Sequence, residues 1–219
     1  MGKIQQGILD GFVGKVGTVV GSFWKGKAVM RGYKRIVRNP NTVDQRMIRI
    51  RFSTIGRLAG AFITAIREGF AAYARAHQMT EGDVFVRANW GHVQGDPSGS
   101  ATVDYDDLVI ARGSLPEIQY GNATFENPLQ VDVPINDGAT VIGSHRDDKA
   151  YVFVYSPEAG AGILNDSGKR VDEEVSIHVP AYWNGHRVHV YGFAKGCDEN
   201  DQFAGITSNS RYLGAGTIS

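Results

Sequence analysis

From Ile48 onward the apolar residues Ile48, Phe52, Ile55, Ala59, Phe62, Ile66 and Tyr73 recur at intervals close to a helical repeat. At 100° per residue they share one face, and Arg46, Arg57 and Arg75 project to the opposite side with Arg49 and Arg67 flanking them. Pro40, then Thr42 with Gln45 three residues on, mark the start as a capping box. Unbroken to His77, such a helix would be about 50 Å long. That exceeds what a domain of this size covers, so either Gly69, which takes an expected apolar position, breaks it or a neighbouring subunit covers the excess.

Before this helix, Val19, Val20, Phe23 and Trp24 lead through Lys25-Gly26-Lys27 into Ala28–Tyr33, the pattern of a β-hairpin with a glycine-containing turn. Gly11, Gly14 and Gly17 lack the strand and helix that a phosphate-binding loop needs, so positive φ or close backbone packing explains them better. Gly56 and Gly60 form a small-xxx-small step that predicts close approach of another element.

After residue 80, polar turn clusters separate short β-branched and aromatic runs. The runs are Leu108–Ala111, Ile118–Phe125, Leu129–Val133, Tyr151–Tyr155, Val175–Val179, Val188–Phe193 and Ser210–Leu213. They predict an antiparallel, immunoglobulin-like β-sandwich. The fold class expected is therefore α+β: an N-terminal β-hairpin and long amphipathic helix in residues 1–92, then a sandwich domain in 93–219.

Charge sharpens this division. Residues 1–80 hold fourteen Lys and Arg against Asp10, Asp44 and Glu68, a net +11, while residues 81–219 carry −11. A neutral total hides the asymmetry, which suits either a polyanionic partner or head-to-tail association of unlike surfaces. No stretch is long and apolar enough to cross a membrane, and no secretory signal is visible, so a cytoplasmic or virion location is expected.

Catalytic chemistry finds no pattern. Cys197 stands alone, the six histidines lack HExxH spacing, and no GxSxG elbow occurs. The acidic clusters Asp104/Asp106/Asp107, Asp147/Asp148, Asp172/Glu173/Glu174 and Asp198/Glu199/Asp201 read as solvated loop charge, and a calcium loop at Asp104 or Asp198 lacks EF-hand spacing. Neither metal, cofactor nor enzymatic activity is expected. A glycan-binding sandwich would use Trp90 and Trp183 as exposed stacking residues.

Three segments resemble a known family: Gly11–Gly21 with Trp24-Lys25-Gly26-Lys27, then Val103-Asp104-Tyr105 with Ala111–Leu115, then Ser208–Gly214. They are similar to an uncharacterised family of Bacteroidota proteins with a Gly-Lys-Val-Gly hairpin, a helical middle and a β-sandwich tail. The resemblance implies that architecture and a bacterial or phage setting. It lends no activity and no functional residue.

The functional expectation is a non-enzymatic structural or assembly protein that forms homo-oligomers. Self-association is assigned to Trp24, Ile48, Phe52, Ile55, Phe62 and Ile66. The alternative is a nucleic-acid-binding module in which Lys25, Lys27, Arg31, Lys34, Arg35, Arg38, Arg46, Arg49 and Arg57 contact phosphates.

Overall fold

The computed structural model describes residues 3–4, 12–24, 26–36, 39–136, 143–196 and 205–219. They form two compact units, residues 1–42 and 43–219.

The first unit is an antiparallel meander in the order β1 (Lys3–Ile4), β2 (Phe12–Val16), β3 (Val19–Trp24), β4 (Lys27–Gly32). Val16 pairs with Val19 across a two-residue turn, which Gly17 enters at φ +57°, a conformation open to glycine at little cost. The β3–β4 hairpin expected from the sequence is present, with Trp24 opposite Lys27 and Gly26 in its turn. The meander has almost no interior: of its described side chains none is buried, and Gly21 is its one buried residue.

The second unit opens with α1 (Val43–Ala61), α2 (Ile63–Gly69), α3 (Ala71–Ala76) and α4 (Glu81–Asn89). The single long helix is thus divided at Phe62 and Phe70. The second break follows Gly69, where a Cβ would collide with the Ile110 carbonyl oxygen and with Ala111. The Gly69 carbonyl accepts hydrogen bonds from the Arg112 amide at 3.2 Å and the Thr207 hydroxyl at 3.0 Å, so strand-side chain crosses the helix here.

Two short strands, β5 (Val93–Gly95) and β6 (Ala101–Val103), form a hairpin. Six longer strands follow: β7 (Gln130–Pro134), β8 (Lys149–Ser156), β9 (Ala161–Lys169), β10 (Glu174–His178), β11 (Arg187–Lys195) and β12 (Arg211–Thr217). They build an antiparallel sheet in the order β12-β11-β8-β9 and a two-stranded sheet of β7 and β10. The α+β class and the antiparallel sheets agree with the sequence pattern.

Alternation along β8 shows how the layers stack. Tyr151, Phe153 and Tyr155 point into a core shared with Ile55, Phe62, Ile66, Phe70 and Phe85 of the helices. Ala150, Val152 and Val154 point the other way, into a core shared with Val131, Val133, Val175 and Ile177 of the two-stranded sheet. In β11, Tyr191 and Phe193 face the helices while Val188 and Val190 face the small sheet. A strand buried on both faces reads as a continuous apolar run, which accounts for Tyr151–Tyr155 and Val188–Phe193.

The boundary expected at 92/93 lies inside this unit, because the aromatic core joins α1–α4 to β8 and β11. Three strand assignments also change. Ile118–Phe125 forms no strand; its pairing is limited to isolated bridges from Tyr120 to Ile135 and from Thr124 to Asp132. Leu108–Ala111 enters no sheet; its backbone is satisfied by side chains, the Val109 amide donating to Asn89 Oδ1 at 2.7 Å and the Ile110 amide to Ser210 Oγ at 2.9 Å. Conversely, Asn165-Asp166-Ser167-Gly168, one of the polar clusters expected to form a turn between the runs Tyr151–Tyr155 and Val175–Val179, belongs to β9, where the pairing with β8 shifts register between Ala150 and Val152 and a bulge absorbs the polar residues.

Candidate functional sites

The register of the meander sorts its side chains onto two unlike faces. Cross-strand partners share a face, so the pairs Lys15–Val20, Val20–Arg31 and Trp24–Lys27 put Lys15, Lys27, Arg31 and Trp24 together. All but Val20 are exposed, and Lys15 Nζ lies 3.6 Å from the centre of the Tyr33 ring, a cation–π contact. The other face carries Phe12, Val16, Val19, Phe23 and Met30 without a charge. Val16, Phe23 and Met30 are 51%, 42% and 70% exposed, so this apolar face is uncovered.

Placement of the expected residues is mixed. Lys27, Arg31, Lys34, Arg35 and Trp24 are exposed in the first unit, whereas Lys25 and Arg38 lie outside the described residues, as does Cys197. Arg46, Arg49 and Arg57 are exposed on α1, in the second unit. The helix face assigned to self-association divides: Ile48 and Phe52 are exposed, but Ile55, Phe62 and Ile66 are fully buried and have no surface to offer a partner. Phe62 is the hub of an aromatic cluster, with ring centres 4.8 Å from Phe153, 4.7 Å from Tyr155, 5.7 Å from Tyr191 and 5.8 Å from Phe85. The helical period reports one face, but only the position of β8 and β11 decides which turns of it are covered.

Trp183, proposed as an exposed stacking residue, is also buried, and Trp90 is half-buried beneath the Arg51 guanidinium, 4.2 Å from its ring centre. Asp148, read as a solvated charge, is buried with Arg170.

A second site was not visible in the sequence. Between α1–α2 on one side and β6 with the β8–β9 turn on the other lies a cleft of about 800 Å³. Its polar groups are Thr54, Arg57, Thr64, Tyr105 and Tyr155. Burial pushes the Tyr155 hydroxyl up to about 12 and raises that of Tyr105, so both stay protonated at neutral pH; the two are hydrogen-bonded to each other, Tyr155 donating to Tyr105, which leaves the Tyr105 proton for the cleft. Behind them, the Tyr191 hydroxyl donates to the Tyr105 carbonyl at 2.8 Å, and His189 stacks on Tyr105 with its Nδ1 2.9 Å from the Tyr212 hydroxyl. Burial, reinforced by Arg187, lowers the His189 pKa, so the ring is neutral at pH 7. These tyrosines come from four separate segments, a convergence that no local spacing encodes.

The β5–β6 hairpin brings His92 near Asp104 and Asp107, whose ligand atoms lie within 4.8 Å of one another. An imidazole and two carboxylates are a donor set that could hold a divalent cation. They are the residues for such a role among those described.

Residues 11–214 match DUF6266, a family of unknown function. The chain belongs to that family. No curated protein and no solved structure matches it. The match begins with the glycine-rich meander and ends in β12, so both units belong to the family's common architecture. Among the described residues, no helix is long and apolar enough to cross a membrane.

Proposed function

We propose that the protein is a structural subunit that assembles with copies of itself through its N-terminal meander, without catalytic activity, inside the cell or in a virion. The observation that carries this reading is the uncovered apolar face of Phe12, Val16, Val19, Phe23 and Met30 on a sheet with no interior. A sheet of this size with both faces in water is marginal, and a large exposed apolar patch marks an association surface.

Charge favours a second copy as the partner. Residues 1–42 carry eight Lys and Arg against Asp10, a net +7, which leaves −7 on residues 43–219. Two meanders would repel, whereas a meander and a neighbour's acidic body attract. Such head-to-tail contacts are heterologous, and they close into rings or continue as filaments. Exposed ion pairs are screened beyond about 8 Å at physiological salt, so the apolar face supplies most of the affinity.

Light scattering at micromolar concentration and physiological salt should give a mass well above the 23.8 kDa chain. Phe23→Glu with Met30→Glu should return it to a monomer while the second unit stays folded. A wild-type monomer under those conditions overturns the reading.

Nucleic-acid binding is the second reading, favoured by one observation: Trp24 shares the cationic face with Lys15, Lys27 and Arg31. An aromatic platform beside phosphate-binding cations suits a single strand. Titration of a 30-mer across salt should then give a log–log slope of about −4 to −5 for six neutralised phosphates. Absence of binding at low salt removes this reading.

A further inference from the structure

The cleft in the second unit has the chemistry of a small-molecule site. At about 800 Å³ it falls within the size range of ligand pockets, roughly 300–1,000 Å³. One wall is α1, where Gly60 lines the cavity and a Cβ would meet nothing within 4 Å. Glycine weakens a helix interior relative to alanine, and it is retained where a turn or a close neighbour demands it. Gly69 has such a neighbour in Ile110 and Ala111; Gly60, like Gly56, has none within 4 Å, and of these two it is Gly60 that lines the cleft.

Of the polar side chains in the cleft, Arg57 donates only, and the hydroxyls of Thr54, Thr64, Tyr105 and Tyr155 can donate or accept. Arg57 makes no ion pair among the described residues, and the one hydrogen bond found for its guanidinium is a long contact of 3.4 Å to Thr54 Oγ1. Its positive charge opposes, in small part, the upward push of burial on the Tyr155 hydroxyl, and both residues line the cleft. The carboxylate whose charge bears on the same tyrosines, Glu158 on the β8–β9 turn, is engaged by the Ser156 hydroxyl at 3.3 Å and the Arg187 amide at 3.4 Å. Leu58, Ala61, Ala101 and Val103 complete the walls with apolar surface.

We infer that this cleft binds a small organic anion, a carboxylate carried on an apolar or aromatic body. Arg57 receives the carboxylate in a charge-assisted, two-pronged hydrogen bond, with the Tyr105 hydroxyl, whose own proton is not used by Tyr155, as a further donor. The body of the ligand lies against Leu58, Ala61 and Val103 and over Gly60. This site is independent of the assembly proposed above.

Calorimetric titration of the full chain with 2-naphthoate, and with neutral 2-naphthalenemethanol of nearly the same shape, tests it. Naphthoate should bind at one site about tenfold more tightly than the alcohol, since only it can pair with Arg57. Arg57→Gln should remove that preference, and Gly60→Trp, whose Cβ meets no atom of the fold within 4 Å and whose ring would occupy the cleft, should abolish binding of both with the circular dichroism unchanged. Arg67→Gln, on the exposed side of α2, should change neither. Equal affinity of the two probes, no binding of either at millimolar concentration, or unaltered binding by the Gly60→Trp variant would overturn the inference.

Discussion

Arg170 donates through Nε to Asp148 Oδ2 at 3.2 Å, with both side chains 3% exposed. The rest of the site is satisfied too: the guanidinium reaches the Pro116 carbonyl at 2.7 Å and the Glu117 carbonyl at 3.3 Å, and Asp148 Oδ2 accepts the His145 amide at 2.8 Å. The pair clamps the start of β8 and the end of β9 to the loop before Ile118. Removing one partner strands the other charge in a dry site. Asp148→Ala and Arg170→Ala should therefore each cost about 3–5 kcal/mol in urea unfolding. Loss below 1 kcal/mol would mean that water reaches the pair.

Phe62 and Phe52 lie on the same predicted helix face but differ in what covers them. Phe62→Ala removes the centre of the aromatic cluster and should cost about 3–5 kcal/mol. Phe52, 61% exposed, should tolerate alanine within about 0.5 kcal/mol. Equal costs would place β8 and β11 elsewhere relative to α1.

Helix glycines give opposite outcomes according to their surroundings. A Cβ at Gly56 meets nothing within 4 Å, so Gly56→Ala should stabilise by about 0.5–1 kcal/mol through helix propensity. At Gly69 the added methyl strikes Ile110 and Ala111, and Gly69→Ala should destabilise by about 1–3 kcal/mol. Thermal melts of the two variants should move in opposite directions.

His189 makes stability depend on pH. Its folded pKa lies below the ordinary 6.5 because burial and Arg187 oppose the charged ring, partly offset by Asp106 and Glu158, while Tyr105 and Tyr212 pack on it. The unfolded chain takes up the proton first as the pH falls. The contribution is thus full above pH 6.5, declines below it, and is lost once the pH has passed the folded value. His189→Phe should flatten the unfolding free energy in this window. A slope identical to that of the natural chain would assign the pH dependence to other groups.

By itself, the sequence determined the local elements whose cause is local. Gly26 between two β-forming runs is enough for the β3–β4 hairpin, and a helical period with an arginine-rich reverse face is enough for α1. The runs Tyr151–Tyr155 and Val188–Phe193 announced buried strands, and the charge contrast between the chain's two ends needed only counting. The tertiary structure decided everything that depends on what lies opposite. A continuous apolar strand does not say that one face meets a helix layer and the other a second sheet, so the helices could not be assigned to the same unit as the strands. Asp148 and Arg170 are 22 residues apart, each in a polar stretch, and only the β8–β9 pairing buries them together. The cleft owes its walls to Arg57, Tyr105 and Tyr155, which lie about fifty residues apart and meet because β8 passes beneath α1. Sequence records each residue's own preference; a site made of residues from separate elements exists only once packing has chosen their neighbours.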